Sequence, residues 1–230
     1  MVLIQGPVGP QSVPKKAGRF FNIMEATKNI IFDLGGVLLN LDFNKSIDAF
    51  ELLGVMHFEN MFTQFKADEL FKKLETGKVG ETAFYEAIQQ RTTKTISMAE
   101  IDQAWNALIL DFRTESLALL EELAAEYKLF LLSNTNSIHV KYFKKLFTSQ
   151  TGKPSFDGYF IKAWYSNEVG LRKPGTEIFE FALKDAGLIA GETLFIDDTL
   201  ANIETAQKIG FKTHHLLHSE RIEMLNLKNL

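Results

Sequence analysis

No cysteine occurs among the 230 residues, which excludes disulfides and thiolate metal sites and leaves any metal to oxygen or imidazole ligands. An excess of one charge sign is also missing. The 25 basic and 29 acidic residues are interspersed and give a formal net charge of -4, so no general affinity for nucleic acid is expected. No apolar run approaches the roughly 20 residues of a membrane-spanning helix, and the N-terminal residues lack the pattern of a secretory signal. A soluble, cytoplasmic protein with no membrane partner is expected. The glycine spacings of dinucleotide-binding and P-loop motifs are absent, although Gly35-Gly36 follows an apolar run. Proline is scarce, and three of the five (Pro7, Pro10 and Pro14) crowd near the N-terminus with Gly6, Gly9 and Gly18. That composition predicts a flexible tail over residues 1–24.

What the chain does contain is the pattern of strands alternating with helices. Asn29 to Phe32 is a short, continuously apolar stretch of the kind buried on both faces in a parallel sheet, and Leu129 to Leu132 and Leu194 to Ile196 repeat it. Helical stretches lie between, such as Thr176 to Ala186 closed by Gly187 and Ala201 to Ile209 closed by Gly210. This predicts an α/β fold, a doubly wound parallel sheet with a Rossmann-type core, over residues 25–40 and 114–230. Residues 41–113 break the alternation and read as helical throughout. Phe58, Met61, Phe62 and Phe65 fall at helical spacing, as do Trp105, Leu108, Ile109 and Phe112. At that spacing an aromatic stripe is packing core rather than a cofactor box, so a helical domain inserted after the first strand is expected.

Four segments carry polar residues at strand ends or in the loops beyond: Asp33-Leu34-Gly35-Gly36-Val37, Leu131-Leu132-Ser133-Asn134, Leu171-Arg172-Lys173-Pro174 and Phe195-Ile196-Asp197-Asp198. The adjacent carboxylates Asp197 and Asp198 repel each other unless a cation or hydrogen bonds compensate. In order and character the four segments resemble the motifs of the haloacid dehalogenase superfamily, mostly magnesium-dependent phosphatases, over about residues 29–211. The Asp-Leu-Gly pattern and the insertion are similar to the helical-cap subgroup that includes glucose-1-phosphate phosphatases. The resemblance implies Asp33 as a nucleophile forming an aspartyl-phosphate, with Lys173 and Ser133 assisting. It further implies Mg²⁺ held by Asp33, the Gly35 carbonyl and Asp198, with Asp197 behind them. Ser133, Asn134, Lys173 and Gly36 are then expected around the phosphoryl group, Asn202 in support of the metal shell, and residues 41–113 as a cap that chooses the substrate. The implied partner is a small phosphorylated metabolite.

The pattern departs from the superfamily at one position. Most of its phosphatases place a second aspartate, the general acid and base, two residues after the nucleophile, where this chain has Gly35. General acid catalysis typically contributes about two to four orders of magnitude. Three readings are open. The first is a phosphatase acting on a good leaving group such as a hexose 1-phosphate. The second is a hydrolase of carbon–halogen bonds, which needs no metal and is opposed by the Asp197-Asp198 pair. The third is a phospho-ligand-binding or regulatory protein with little turnover. Among weaker signals, His214, His215 and His218 are read as structural, and Lys141, Lys144 and Lys145 as the wet face of a helix. Asp42 and Asn44 are read either as substrate contacts or as a helix cap.

Overall fold

The computed structural model describes residues 26–55, 57–63 and 66–230; the tail predicted over 1–24 and Phe65 lie outside them. Four buried residues form β1 (Asn29–Phe32). After the turn that carries Asp33, β2 (Leu39–Leu41) leads out of the sheet into α1 (Phe43–Leu52), the hairpin β3 (Phe62–Thr63) and β4 (Lys66–Ala67), α2 (Glu69–Glu75), α3 (Glu81–Gln89) and α4 (Met98–Asn106). The return strand β5 (Ile109–Phe112) pairs antiparallel with β2, Leu39 opposite Phe112 and Leu41 opposite Ile109. The way out and the way back thus form one two-stranded neck. Arg113, directly after β5, pins it by donating to the Val37 carbonyl (2.9 Å) and Asn40 Oδ1 (2.7 Å). The chain then runs through α5 (Thr114–Leu123), β6 (Lys128–Ser133), α6 (Ser137–Thr151), β7 (Lys162–Tyr165), α7 (Ser166–Val169), α8 (Thr176–Ala186), β8 (Thr193–Asp197), α9 (Leu200–Ile209) and β9 (Lys212–His215).

The sheet has the order β7-β6-β1-β8-β9 and every pairing is parallel. Side chains alternate between its faces. Ile30, Phe32, Leu129, Leu131 and Ile196 join the apolar cluster that continues into the excursion, whereas Ile31, Phe130, Leu132 and Phe195 pack with Ile178, Phe179 and Ile203 of α8 and α9. Each such fully buried side chain contributes about 1.5–3 kcal/mol. Phe32 stands opposite both Leu131 and Ile196, so the residues that follow each strand emerge together at one carboxyl edge. The winding reverses between β1 and β8, and doubly wound sheets open their ligand crevice at such a reversal.

The excursion is not helical throughout, contrary to the sequence expectation. Phe58 opens a 3-10 turn (Phe58–Asn60), Phe62 belongs to β3, and Ile109–Phe112 is the neck strand β5. Short apolar clusters fit helix and strand spacings alike, and the pairing of β5 with β2 decides the matter here. The aromatic residues are nonetheless packing core. Trp105 is fully buried, with ring centroids 4.6 Å from Phe62, 5.1 Å from Phe71 and 5.6 Å from Phe84. Asp42 acts as a helix cap, accepting the Asn44 backbone N–H at the start of α1.

Candidate active site

Asp33 leaves β1 with its backbone N–H still on the β8 ladder, donating to the Ile196 carbonyl (2.9 Å). That bond fixes where its carboxylate points. The deeply buried Lys173 donates from Nζ to Asp33 Oδ1 (2.7 Å) and to Asp197 Oδ2 (2.6 Å). Asp197 is fully buried and also accepts the Thr199 N–H (2.8 Å) and the Asn202 amide (2.9 and 3.0 Å). Asn134 grips the lysine from the other end: its amide donates to the Lys173 carbonyl and its oxygen accepts the Lys173 N–H, each at 2.8 Å. Asn134, expected at the phosphate, lines the cavity and bonds the lysine main chain. Asn202 likewise supports Asp197 directly.

One carboxylate oxygen from each of Asp33, Asp197 and Asp198 lies within 4.8 Å of the others. Burial pushes the Asp33 carboxyl well above its ordinary pKa; Asp197 and Asp198 add to the rise and Lys173 opposes it. Asp198 is raised for the same reasons, burial first and Asp197 next. Burial also disfavours the Lys173 charge, yet Asp197 and Asp33 outweigh it and hold the ammonium above its usual pKa. Three carboxylates facing one buried ammonium leave an excess of negative charge on oxygen donors, a set that fits a hard divalent cation such as Mg²⁺.

Two glycines shape the turn after Asp33. Gly36 adopts φ +71°, and a Cβ there would stand 2.1 Å from Asp198 Oδ2, so only glycine lets this backbone lie against the carboxylate. Gly36, expected to contact phosphate, packs against Asp198 and is not among the residues lining the cavity. A Cβ on Gly35 would come within 2.6 Å of Leu41 Cδ1. That atom is the terminal methyl of a neck leucine, so a side chain at position 35 would have to displace it.

Above this floor lies a cavity of about 680 Å³. Asp33, Gly35, Ser133, Asn134, Lys173 and Asp198 line its base, while Asp197 sits beneath Lys173, out of reach. Ser133 ends β6, nearly buried. The upper wall is apolar, built from Leu39, Leu41, Phe43, Phe62, Leu108, Ile109 and Phe143, so Phe62, Leu108 and Ile109 serve both packing and the cavity. Lys72, Glu75, His139 and Arg172 also reach the wall, and sequence reasoning gave none of them a role. Arg172 belongs to the loop segment that carries Lys173, whereas Glu75 and His139 carry no local signal. His139 stacks on Trp105 (4.5 Å) and places Nδ1 2.9 Å from Asn106 Oδ1. Burial pushes its pKa down to about 3. His215 Nε2 lies 3.1 Å from the Asp198 carbonyl, behind the site. Lys141 and Lys144 pair with Glu81 and Asp157 away from the cavity.

The profile of the haloacid dehalogenase-like hydrolases matches residues 27–210. The chain belongs to that family. A D-ribitol-5-phosphate phosphatase of Bacteroides thetaiotaomicron is 34% identical over 186 residues, 81% of this hydrolase and 90% of the relative. A sesquiterpene phosphatase of Aspergillus oryzae is 30% identical over 195 residues, 84% of this chain and 91% of that one. Among solved structures, a haloacid dehalogenase family enzyme of Bacteroides thetaiotaomicron in complex with magnesium and inorganic phosphate superposes with a TM-score of 0.77. It is 36% identical, and the match covers 85% of this hydrolase and 96% of that chain.

Proposed function

We propose that this hydrolase cleaves a small phosphomonoester, with Asp33 as the nucleophile. The Asp33 carboxylate attacks phosphorus, the P–O bond to the organic group breaks, and water then releases phosphate from the aspartyl-phosphate and restores the free acid. Lys173 supplies fixed positive charge beside the attacking oxygen, and the Ser133 hydroxyl hydrogen-bonds the phosphoryl group. Asn134 and Asp197 hold that lysine. Asp33, the Gly35 carbonyl and Asp198 are the groups that would hold Mg²⁺, with Asp197 behind. Bound there, the cation neutralises charge on the carboxylate and the phosphoryl oxygens. Residues 41–113 act as the cap, closing the cavity over the substrate.

The single observation that carries this reading is Lys173 bridging Asp33 and Asp197 at the cavity base, with Asp198 alongside. Gly35, where a general acid would stand, favours a substrate whose leaving oxygen departs readily, which supports hexose 1-phosphates. The D-ribitol-5-phosphate relative supports a sugar or polyol phosphate on separate grounds, since an alkyl oxygen departs poorly without a proton. The apolar upper wall favours a second reading, a terpenoid or other apolar organic phosphate, in line with the sesquiterpene relative. The test is phosphate release from hexose 1-phosphates, hexose 6-phosphates, ribitol 5-phosphate, farnesyl phosphate and p-nitrophenyl phosphate, with and without Mg²⁺. Magnesium-dependent release is expected, with sugar or polyol phosphates preferred. Silence across the panel, from a protein that Mg²⁺ and phosphate stabilise against heat, would move the reading to a phospho-ligand-binding role.

A further inference from the structure

Glu75 ends α2, on the excursion, and its Oε2 accepts the Arg172 Nε proton at 2.8 Å from the core loop that precedes Lys173. Both side chains are largely withdrawn from solvent, 11% and 29% exposed, and both lie on the cavity wall. The contact is tightly seated. Two residues beyond Glu75, Gly77 adopts φ +65°, and a Cβ there would stand 2.3 Å from the Asn167 carbonyl of α7, so the corner after α2 lies flush against the core. Burial raises the Glu75 carboxyl above its usual pKa, with Arg172 pulling the other way. Its second oxygen has no hydrogen-bond partner among the described residues. The other seam, where α4 meets α6, is held by neutral contacts: Trp105 against His139 and Asn136, and Asn106 against His139. Glu81 and Lys141 also join the excursion to α6, but at the surface and off the cavity wall.

We propose that Glu75 and Arg172 form a positioning pair that couples seating of the cap to placement of Lys173. Arg172 is one peptide from the lysine, whose main chain Asn134 grips from the opposite side. When α2 is seated, Glu75 holds Arg172 and the loop has an anchor on each side of Lys173. When α2 lifts, the Glu75 anchor is lost and the ammonium is free to drift from Asp33. Misplacement of a catalytic group by about 1 Å can cost on the order of a hundredfold in rate. Because the pair acts through the lysine, its loss is expected to fall on kcat more than on KM.

The kinetic arm of the test rests on the phosphatase reading; the exchange arm does not. Glu75→Gln, Arg172→Met and the double variant are assayed on p-nitrophenyl phosphate and ribitol 5-phosphate, and their amide hydrogen exchange is compared with wild type. Each single variant is expected to lower kcat about ten- to a hundredfold on both substrates. The double variant is expected to be no worse than the more damaged single one, since both break one interaction. Amides of residues 74–78 and 171–173 should exchange faster together, while those of β1, β6 and β8 keep their protection. A loss confined to ribitol 5-phosphate would make Glu75 a proton donor or hydroxyl contact and overturn the proposal. Losses that multiply in the double variant, or unchanged exchange at 171–173, would overturn it as well. If wild type turns over neither substrate, the wider panel decides the phosphatase reading and exchange at 171–173 alone decides the pair.

Discussion

The two ends of the cavity are built on different principles. At the base, polar groups are interlocked: Lys173 is held at its ammonium by two carboxylates and at its main chain by Asn134, and Asp197 by Thr199 and Asn202. At the top, an apolar wall rests on an aromatic cluster around Trp105, with polar groups few and set apart. Directional bonds hold a charge to within fractions of an ångström, which phosphoryl chemistry requires, whereas apolar contact tolerates many shapes. The base therefore defines the reaction, and the top decides which organic group fits above it.

The largest effects separate the two ends. Asp33→Asn should reduce phosphate release at least about a thousandfold, some 4 kcal/mol in the barrier, because the amide is no nucleophile. Chemical denaturation should find its stability close to wild type, since Lys173 keeps Asp197. Trp105→Ala should do the opposite. Removing a fully buried indole from the centre of the cluster should cost about 3–4 kcal/mol of stability, and the residual folded enzyme should retain its magnesium dependence. Comparable rate losses in the two variants at temperatures where both are folded would erase the distinction between the ends.

How much of each end the sequence disclosed follows from the same contrast. Asp33, Ser133 and Asp197 sit at or beside the ends of β1, β6 and β8, so strand pattern plus residue type is enough to bring them to one edge. The upper wall is drawn from Phe43, Phe62, Leu108 and Phe143, which lie on four different elements or turns and meet only through tertiary packing. The apolar spacing around Phe62 and Leu108 suggested helix, yet Phe62 lies in a hairpin and Leu108 leads into a neck strand whose partner is far away in sequence. The division of labour within the base was only partly legible. That Asn134 grips the lysine and Gly36 makes room for Asp198 depends on side-chain directions that spacing does not encode.

Gly35 and Leu41 lie where the two ends meet, and exchanging their roles sharpens the comparison. Gly35→Asp places the missing acid, but its Cβ meets Leu41 Cδ1 at 2.6 Å, so the leucine methyl must swing aside and the single change should give only part of the gain. Adding Leu41→Ala opens that space. The double variant should then hydrolyse an alkyl phosphate such as ribitol 5-phosphate about tenfold faster than Gly35→Asp alone, with little change on p-nitrophenyl phosphate, whose leaving group needs no proton. Equal gains on both substrates would mean that the leucine acts through fit rather than by excluding an acid.

The smallest effect concerns the seam that joins the top to the base. The Asp102 carbonyl can only accept, so the Asn106 amide nitrogen that faces it (2.9 Å) donates, and the Asn106 oxygen is left to receive the Nδ1 proton of His139. Nε2 is then a bare acceptor, buried without a hydrogen-bond partner among the described residues. The histidine is consequently neutral in the folded protein, with its pKa pushed down to about 3, whereas the unfolded chain takes up the proton near the ordinary value of about 6.5. Between those values the unfolded state binds more protons, so this group's contribution is complete above about pH 6.5 and declines as the pH falls. Asp33 and Asp198, raised by burial, act in the opposite sense, so the difference between wild type and a variant isolates the histidine. His139→Phe keeps an aromatic ring against Trp105 and removes the titration. Urea denaturation at pH 7.5 and 5.5 should show wild type losing about 1 kcal/mol more than the variant on acidification. An equal loss in both would mean that the seam admits a charged imidazole, and that the contact between cap and core is as tolerant of charge as the base.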